Sequence, residues 1–77
     1  MERVIMLEVV ESDTILAKVV QVIKRRRIVI RMFIAETTSK NQANARIKIL
    51  VEAELEQCRL MKKQLERLID VVEATVL

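Results

Sequence analysis

Four groups of side chains in this sequence have types that carry chemistry, and each is limited by what is missing around it. Cys58 is the single thiol. A nucleophilic cysteine needs its thiolate, usually secured by a neighbouring His. The chain has no His. One Cys and no His exclude a zinc finger, a disulfide framework and a Cys–His pair. Cys58 is therefore expected as a buried, inert thiol. Glu52, Glu54 and Glu56 gather carboxylates, but no partner acid for acid–base work is identifiable, and acids at a helix start suit the helix dipole. Lys24, Arg25, Arg26 and Arg27 could hold phosphate or RNA. Sheets that bind RNA stack bases on aromatic side chains, and this chain offers Phe33 alone. The strand signature of such sheets is absent as well. The cations read as the end of a helix, where positive charge compensates the dipole. Glu11, Ser12, Asp13 and Thr14 combine carboxylates and hydroxyls, and Ser12 and Asp13 are helix-capping types. Met6, Met32 and Met61 read as core or interface filling. No metal, cofactor or nucleic acid is expected, and with neither His nor a Gly-rich loop the chain does not read as an enzyme.

The elements that must position these residues belong to one domain, residues 1–77. A chain of this mass buries about 60–65% of its unfolded surface, enough for one small core. Hydrophobic residues make up 52% and charged residues 32%, a globular balance. Gly and Pro are both absent, where usual frequencies give roughly five and four. Natural domains use Gly where φ must be positive, so the absence suggests a simplified or engineered sequence. The net charge is +3. It divides into six basic and four acidic residues over 1–27, four and one over 28–51, and four and six over 52–77. This mixed pattern favours solubility and does not by itself point to a polyanion. No apolar run approaches about 18 residues, so no membrane partner is expected. The start, MERVIMLEVVE, has no small-residue cleavage site and does not read as a signal peptide. The lone Cys fits a reducing, cytoplasmic location.

Residues 3–10 are β-branched and long apolar types over too short a run for an independent helix, and predict a strand. Ile15, Leu16, Val19, Val20, Val22 and Ile23 fall at helical spacing, with Lys18, Gln21 and Lys24 opposite them. That helix ends in the basic run 24–27. Residues 28–36 predict a second strand. The polar stretch 37–44 predicts a loop or hairpin end. Residues 45–52 alternate at Ile47, Ile49 and Val51, a third strand. Leu55, Cys58, Met61, Leu65, Leu68 and Ile69 step by three and four, a second helix over 54–69. Residues 71–77 predict the last strand.

The order βαββαβ predicts an α+β, ferredoxin-like fold: a four-stranded antiparallel sheet with both helices on one face. Alternation then tests the other face. If Ile5, Leu7 and Val9 face the helices, Val4, Met6 and Val10 face away. In the second strand Val29, Phe33 and Ala35 would share one face and Ile28, Ile30, Met32 and Ile34 the other. Both faces are apolar, whereas the open sheet face of a monomer is mostly polar. A second copy is expected to cover part of this face or a sheet edge, pairing edge to edge or face to face, with Val4, Met6, Val29 and Phe33 as interface residues.

Three segments bring a family resemblance. KRRRIVIRMFIAE at 24–36 resembles R-R-G-[FY]-N-I-[ED]-S-L, and ARIKILVE at 45–52 is similar to S-R-[ML]-T-I-x-V. LEQCRLMKKQLERLIDVVEATVL at 55–77 is similar to L-E-Q-I-x-K-Q-L-x-K-L-[IV]-D-V-x-x-V, with Gln64-Leu65 and Leu68-Ile69-Asp70-Val71-Val72 in register. Together they resemble the ACT domain of the small regulatory subunit of acetohydroxyacid synthase (acetolactate synthase). The resemblance implies a noncatalytic domain that dimerises and contacts a catalytic subunit in branched-chain amino-acid biosynthesis. It also implies an effector site for valine or a related amino acid where two such domains meet. That site uses the turn into the first helix and an Asn early in the neighbour's second strand. Here the candidate residues are Glu11, Ser12, Asp13, Thr14, Ile15 and Val29. They depart from the family pattern N-x-[PS]-G-[VA]-L. Glu11 stands for its Asn, Thr14 for its Gly, Val29 for the strand Asn and Arg27 for the Gly before it. The added negative charge and the Thr14 side chain argue against effector binding in the family mode, and a helix cap remains the other reading of this turn. The alternative for the whole chain is an engineered, reduced-alphabet scaffold of this fold with no retained activity.

Overall fold

The computed structural model describes residues 1–37 and 44–77; most of the loop expected over 37–44 lies outside the described residues. The chain runs β1 (Glu2–Val10), α1 (Ile15–Arg25), β2 (Val29–Thr37), β3 (Asn44–Glu52), α2 (Leu55–Glu66) and β4 (Val71–Val76). The strands form one antiparallel sheet in the order β2-β3-β1-β4. This is the expected ferredoxin-like arrangement.

The core follows from the two periodicities. Ile5, Leu7 and Val9 of β1 and Ile47, Ile49 and Val51 of β3 point to one face and are buried. Against them lie Ile15, Val19 and Ile23 of α1 and Cys58, Met61 and Leu65 of α2, also buried. Burying such a Leu or Ile side chain contributes about 1.5–3 kcal/mol, so these two layers drive the fold. Among the described residues no polar or charged residue is buried as a whole. None of their helices is long and apolar enough to cross a membrane.

Local departures have local causes. In β2 the register steps from Ile30 opposite Val51 to Met32 opposite Leu50, which leaves Arg31 as an extra, bulged residue. A bulge inverts the facing of everything beyond it. Phe33 therefore does not share a face with Val29. Phe33 and Ile30 pack against the core, and Val29, Met32 and Ile34 lie on the outer face. Arg31 extends to Glu52, Nε to Oε1 3.4 Å. A second bulge leaves Val72 unpaired in β4, since Glu8 faces Glu73 and Val9 faces Val71.

Helix α2 ends at Glu66 rather than at residue 69. Arg67 N–H donates to Gln64 O and Leu68 N–H to Leu65 O, tightening the last turn before the chain reverses into β4. Ile69 leaves the apolar stripe and is 98% exposed. Helix α1 ends with Arg27 in the left-handed region at φ 58°, the one non-Gly residue there among the described residues. Arg27 N–H donates to Lys24 O at 2.9 Å. This is the position that Gly usually takes after a helix.

Candidate functional site

The turn between β1 and α1 is built on a residue far away in sequence. Val10 N–H donates to the carbonyl of Asp70 at 2.7 Å, and Ser12 Oγ donates to Asp70 Oδ2 at 3.0 Å. Asp70 lies in the turn between α2 and β4 and so fixes where residues 11–14 run. Ser12 is thereby diverted from capping. The helix N-cap is Thr14, with φ −115° and ψ −8° and no side-chain hydrogen bond to the first turn. A capping side chain normally needs an extended backbone to reach those N–H groups, and Thr14 is in the helical region instead.

One side of a cleft of about 140 Å³ is made by Glu11, Ser12, Ile15 and Leu16, and the other by Ala35, Glu36 and Ala45. Glu11, Ser12 and Ile15 thus come together as the sequence suggested. Asp13 and Thr14 belong to the same turn but do not line the cleft. Val29 lies at the opposite end of β2, paired with Glu52. Seven strand steps separate it from Glu36, roughly 20 Å. Within one copy Val29 cannot join the turn. The cleft holds two carboxylates, Glu11 and Glu36, and no basic side chain. It disfavours the carboxylate of an amino acid, whatever the unbonded helix N–H groups offer.

The outer sheet face is divided by chemistry. Val29, Met32 and Ile34 of β2 are 50%, 39% and 44% exposed. Leu50 faces Met32, and Val4 faces Leu50 on the next strand. Met6 follows two residues on, and Leu77 N–H bonds to Val4 O, bringing its exposed side chain to the same end. Farther along, Glu36, Arg46, Glu8 and Glu73 form a charged row across all four strands. The other half of this face is mainly apolar, with Lys48 set between Ile34 and Met6 and Glu52 beside Val29.

Cys58 lies on the buried side of α2. Burial pushes its pKa above the usual 9.0, and the nearby Arg3 guanidinium opposes that rise only in part. A thiol held neutral in this way is a poor nucleophile. No three potential metal-ligating residues cluster among the described residues. The contribution missed from sequence is that of Asp70, a carboxylate between Leu68-Ile69 and Val71-Val72, where a lone acid in an apolar run signals a fixed role.

No family model and no curated protein sequence matches the chain. Solved structures do. The small subunit of acetolactate synthase from Thermotoga maritima superposes with a TM-score of 0.85 at 22% identity, over 99% of this chain and 47% of that one. The chain thus spans about half the length of that subunit. The ACT domain from GTP pyrophosphokinase of Chlorobium tepidum gives 0.78 at 12% identity, covering 100% and 97%. The regulatory subunit of aspartate kinase from Thermus flavus gives 0.73 at 20% identity, covering 97% and 50%. This chain shares its fold with these structures, an ACT domain among them: a four-stranded antiparallel sheet carrying two helices on one face.

Proposed function

We propose that the chain is a noncatalytic regulatory domain that works in the cytoplasm by association. It pairs with a second copy through its outer sheet face and contacts a catalytic subunit of the acetohydroxyacid synthase kind. The observation that carries this is the group of apolar side chains on that face, Val4, Met6, Val29, Met32, Ile34 and Leu50, broken only by Lys48 and bordered by Glu52, on a fold shared with an acetolactate synthase small subunit. A face of this kind on a small chain is an interaction surface before it is anything else. The charged row adds register to the pairing. Glu8 and Glu73 stand opposite each other within the chain. Directly opposed like charges are unfavourable, and a basic side chain from a second copy would relieve them.

Effector binding is not part of the reading. A branched-chain amino acid would have to place its carboxylate beside Glu11 and Glu36, and Val29 would have to arrive from the other copy. Sedimentation of the wild-type chain and of Met32→Glu tests the pairing. A wild-type dimer and a folded, monomeric variant are expected. A wild-type monomer would sink the association reading and leave a bare scaffold of this fold. Addition of the dimer to a thiamine-diphosphate-dependent acetohydroxyacid synthase subunit should raise its activity. No rise from a well-folded dimer would remove the regulatory part.

A further inference from the structure

On the helical side of the molecule, at the end of α1, a cleft of about 440 Å³ opens between the helices, lined by Arg25, Arg26, Ile28, Gln57 and Gln64. Cations at a helix end need no ligand to explain them, since they compensate the dipole. The two glutamines are what that explanation leaves over. Gln64 Oε1 accepts from Arg26 Nε at 3.2 Å. Gln57 Oε1 accepts from the backbone N–H of Glu54 at 2.8 Å. Both donors are pure donors, so each amide must present its oxygen to them. Each therefore turns its NH2 group away from that bond, free to donate. The Arg26 bond also fixes the guanidinium and leaves its terminal nitrogens uncommitted. Arg25 is exposed and makes no ion pair with the described residues. Every polar side chain lining the cleft thus offers donors, and no carboxylate lines it.

We infer that this cleft binds a small phosphate-bearing anion, with Arg25, Arg26, Gln57 and Gln64 as its donors. Two guanidinium forks and two amides exceed what one carboxylate can accept and match the several oxygens of a phosphate or diphosphate. A small anion fits better than a nucleic-acid chain. The neighbouring surface of α2 alternates in sign, with Glu56 and Glu66 set among Arg59, Lys62 and Lys63, so no continuous basic track runs from the cleft along that helix. The site lies apart from the outer sheet face and does not depend on the association reading.

Titration of inorganic pyrophosphate into the 15N-labelled chain, followed by NMR, tests this at constant ionic strength. Saturable shifts of the Gln57 and Gln64 side-chain amides are expected. The decisive variant is Gln57→Glu. It keeps an acceptor for the Glu54 N–H and adds an acid to the first turn of α2, so it folds, yet it replaces a donor by a negative oxygen. Its affinity should fall by about tenfold or more, the effect of losing a charge-assisted contact and gaining repulsion. Arg25→Gln should weaken binding as well. Lys63→Gln, which also removes one positive charge but lies outside the cleft, should change affinity by less than about twofold. Equal affinity for pyrophosphate and ATP would assign the free anion, and tighter ATP binding a nucleotide's phosphates, both in support. The inference is overturned if the glutamine amides do not move, or if Gln57→Glu and Lys63→Gln weaken binding alike. It is also overturned if a single-stranded oligonucleotide binds more tightly than pyrophosphate with a steep salt dependence.

Discussion

Replacing Arg27 by Gly should stabilise this protein relative to replacing it by Ala, the reverse of the usual order. Arg27 sits at φ 58° immediately after α1. An L-residue with a Cβ costs about 1–2 kcal/mol in that region, because Cβ crowds the following carbonyl. Gly avoids that cost but loses more chain entropy on folding, by about 0.5–1 kcal/mol. The difference leaves Gly ahead of Ala by about 0.5–1 kcal/mol. Comparing Gly with Ala rather than with Arg cancels the lost charge, which itself contributes about 0.3–1 kcal/mol at a helix C-terminus. Urea unfolding reads the difference as a shift of midpoint at constant slope. Thermal unfolding should read it as roughly 2–8 °C in a domain of this size. Gln21, exposed in the middle of α1, supplies the opposite sign. There Gly should be less stable than Ala by about 1 kcal/mol. If Gly at position 27 also proves less stable than Ala, the left-handed helix end is wrong, and with it the placement of Arg27 at a Gly position.

Other expectations follow from single contacts. Burial raises the pKa of Cys58 above 9.0, so the folded state holds the thiol proton more tightly than the unfolded state. That contribution is complete below the unfolded value and is lost as pH rises through the raised folded one. The urea midpoint of the wild type should therefore fall more steeply above pH 9 than that of Cys58→Ala, and parallel curves would refute the burial argument. Native Cys58 should also resist thiol reagents at neutral pH until the chain unfolds, and rapid labelling would contradict its place in the core. Ser12→Ala and Asp70→Ala should each cost about 0.5–1.5 kcal/mol, and the double variant less than their sum, because one hydrogen bond is shared. Additive losses in chemical unfolding would mean that Ser12 and Asp70 do not bond in solution.

How much was legible in advance differs by element. β1 and β3 alternate without interruption, so Ile5, Leu7, Val9, Ile47, Ile49 and Val51 could be placed on the core face from sequence. The second strand could not be read this way beyond Arg31. A bulge depends on how two strands meet, and the run IVIRMFIAE is apolar on both faces, so no pattern marks the inversion that sends Phe33 inward. The candidate turn was legible as residue types only. Glu11, Ser12 and Ile15 were recognisable as a turn into a helix. The bond that takes Ser12 to Asp70 spans 58 positions and leaves no trace in local spacing.

The sequence by itself determined the order of elements, the two amphipathic helices and the excess of apolar side chains over what one sheet face can hide. These follow from local periodicity and composition, which act within a few residues along the chain. It also excluded His-dependent catalysis and disulfides, because those chemistries need residues that are absent. The tertiary structure alone decided which apolar residues remain outside, where α2 stops, and that Arg27 occupies a left-handed turn in a chain without Gly. It alone engaged the side-chain oxygens of Gln57 and Gln64 in hydrogen bonds and set both residues in the lining of one cleft with Arg25 and Arg26. Those outcomes depend on contacts between segments distant in sequence, whose energies are settled only when the helices and strands pack together.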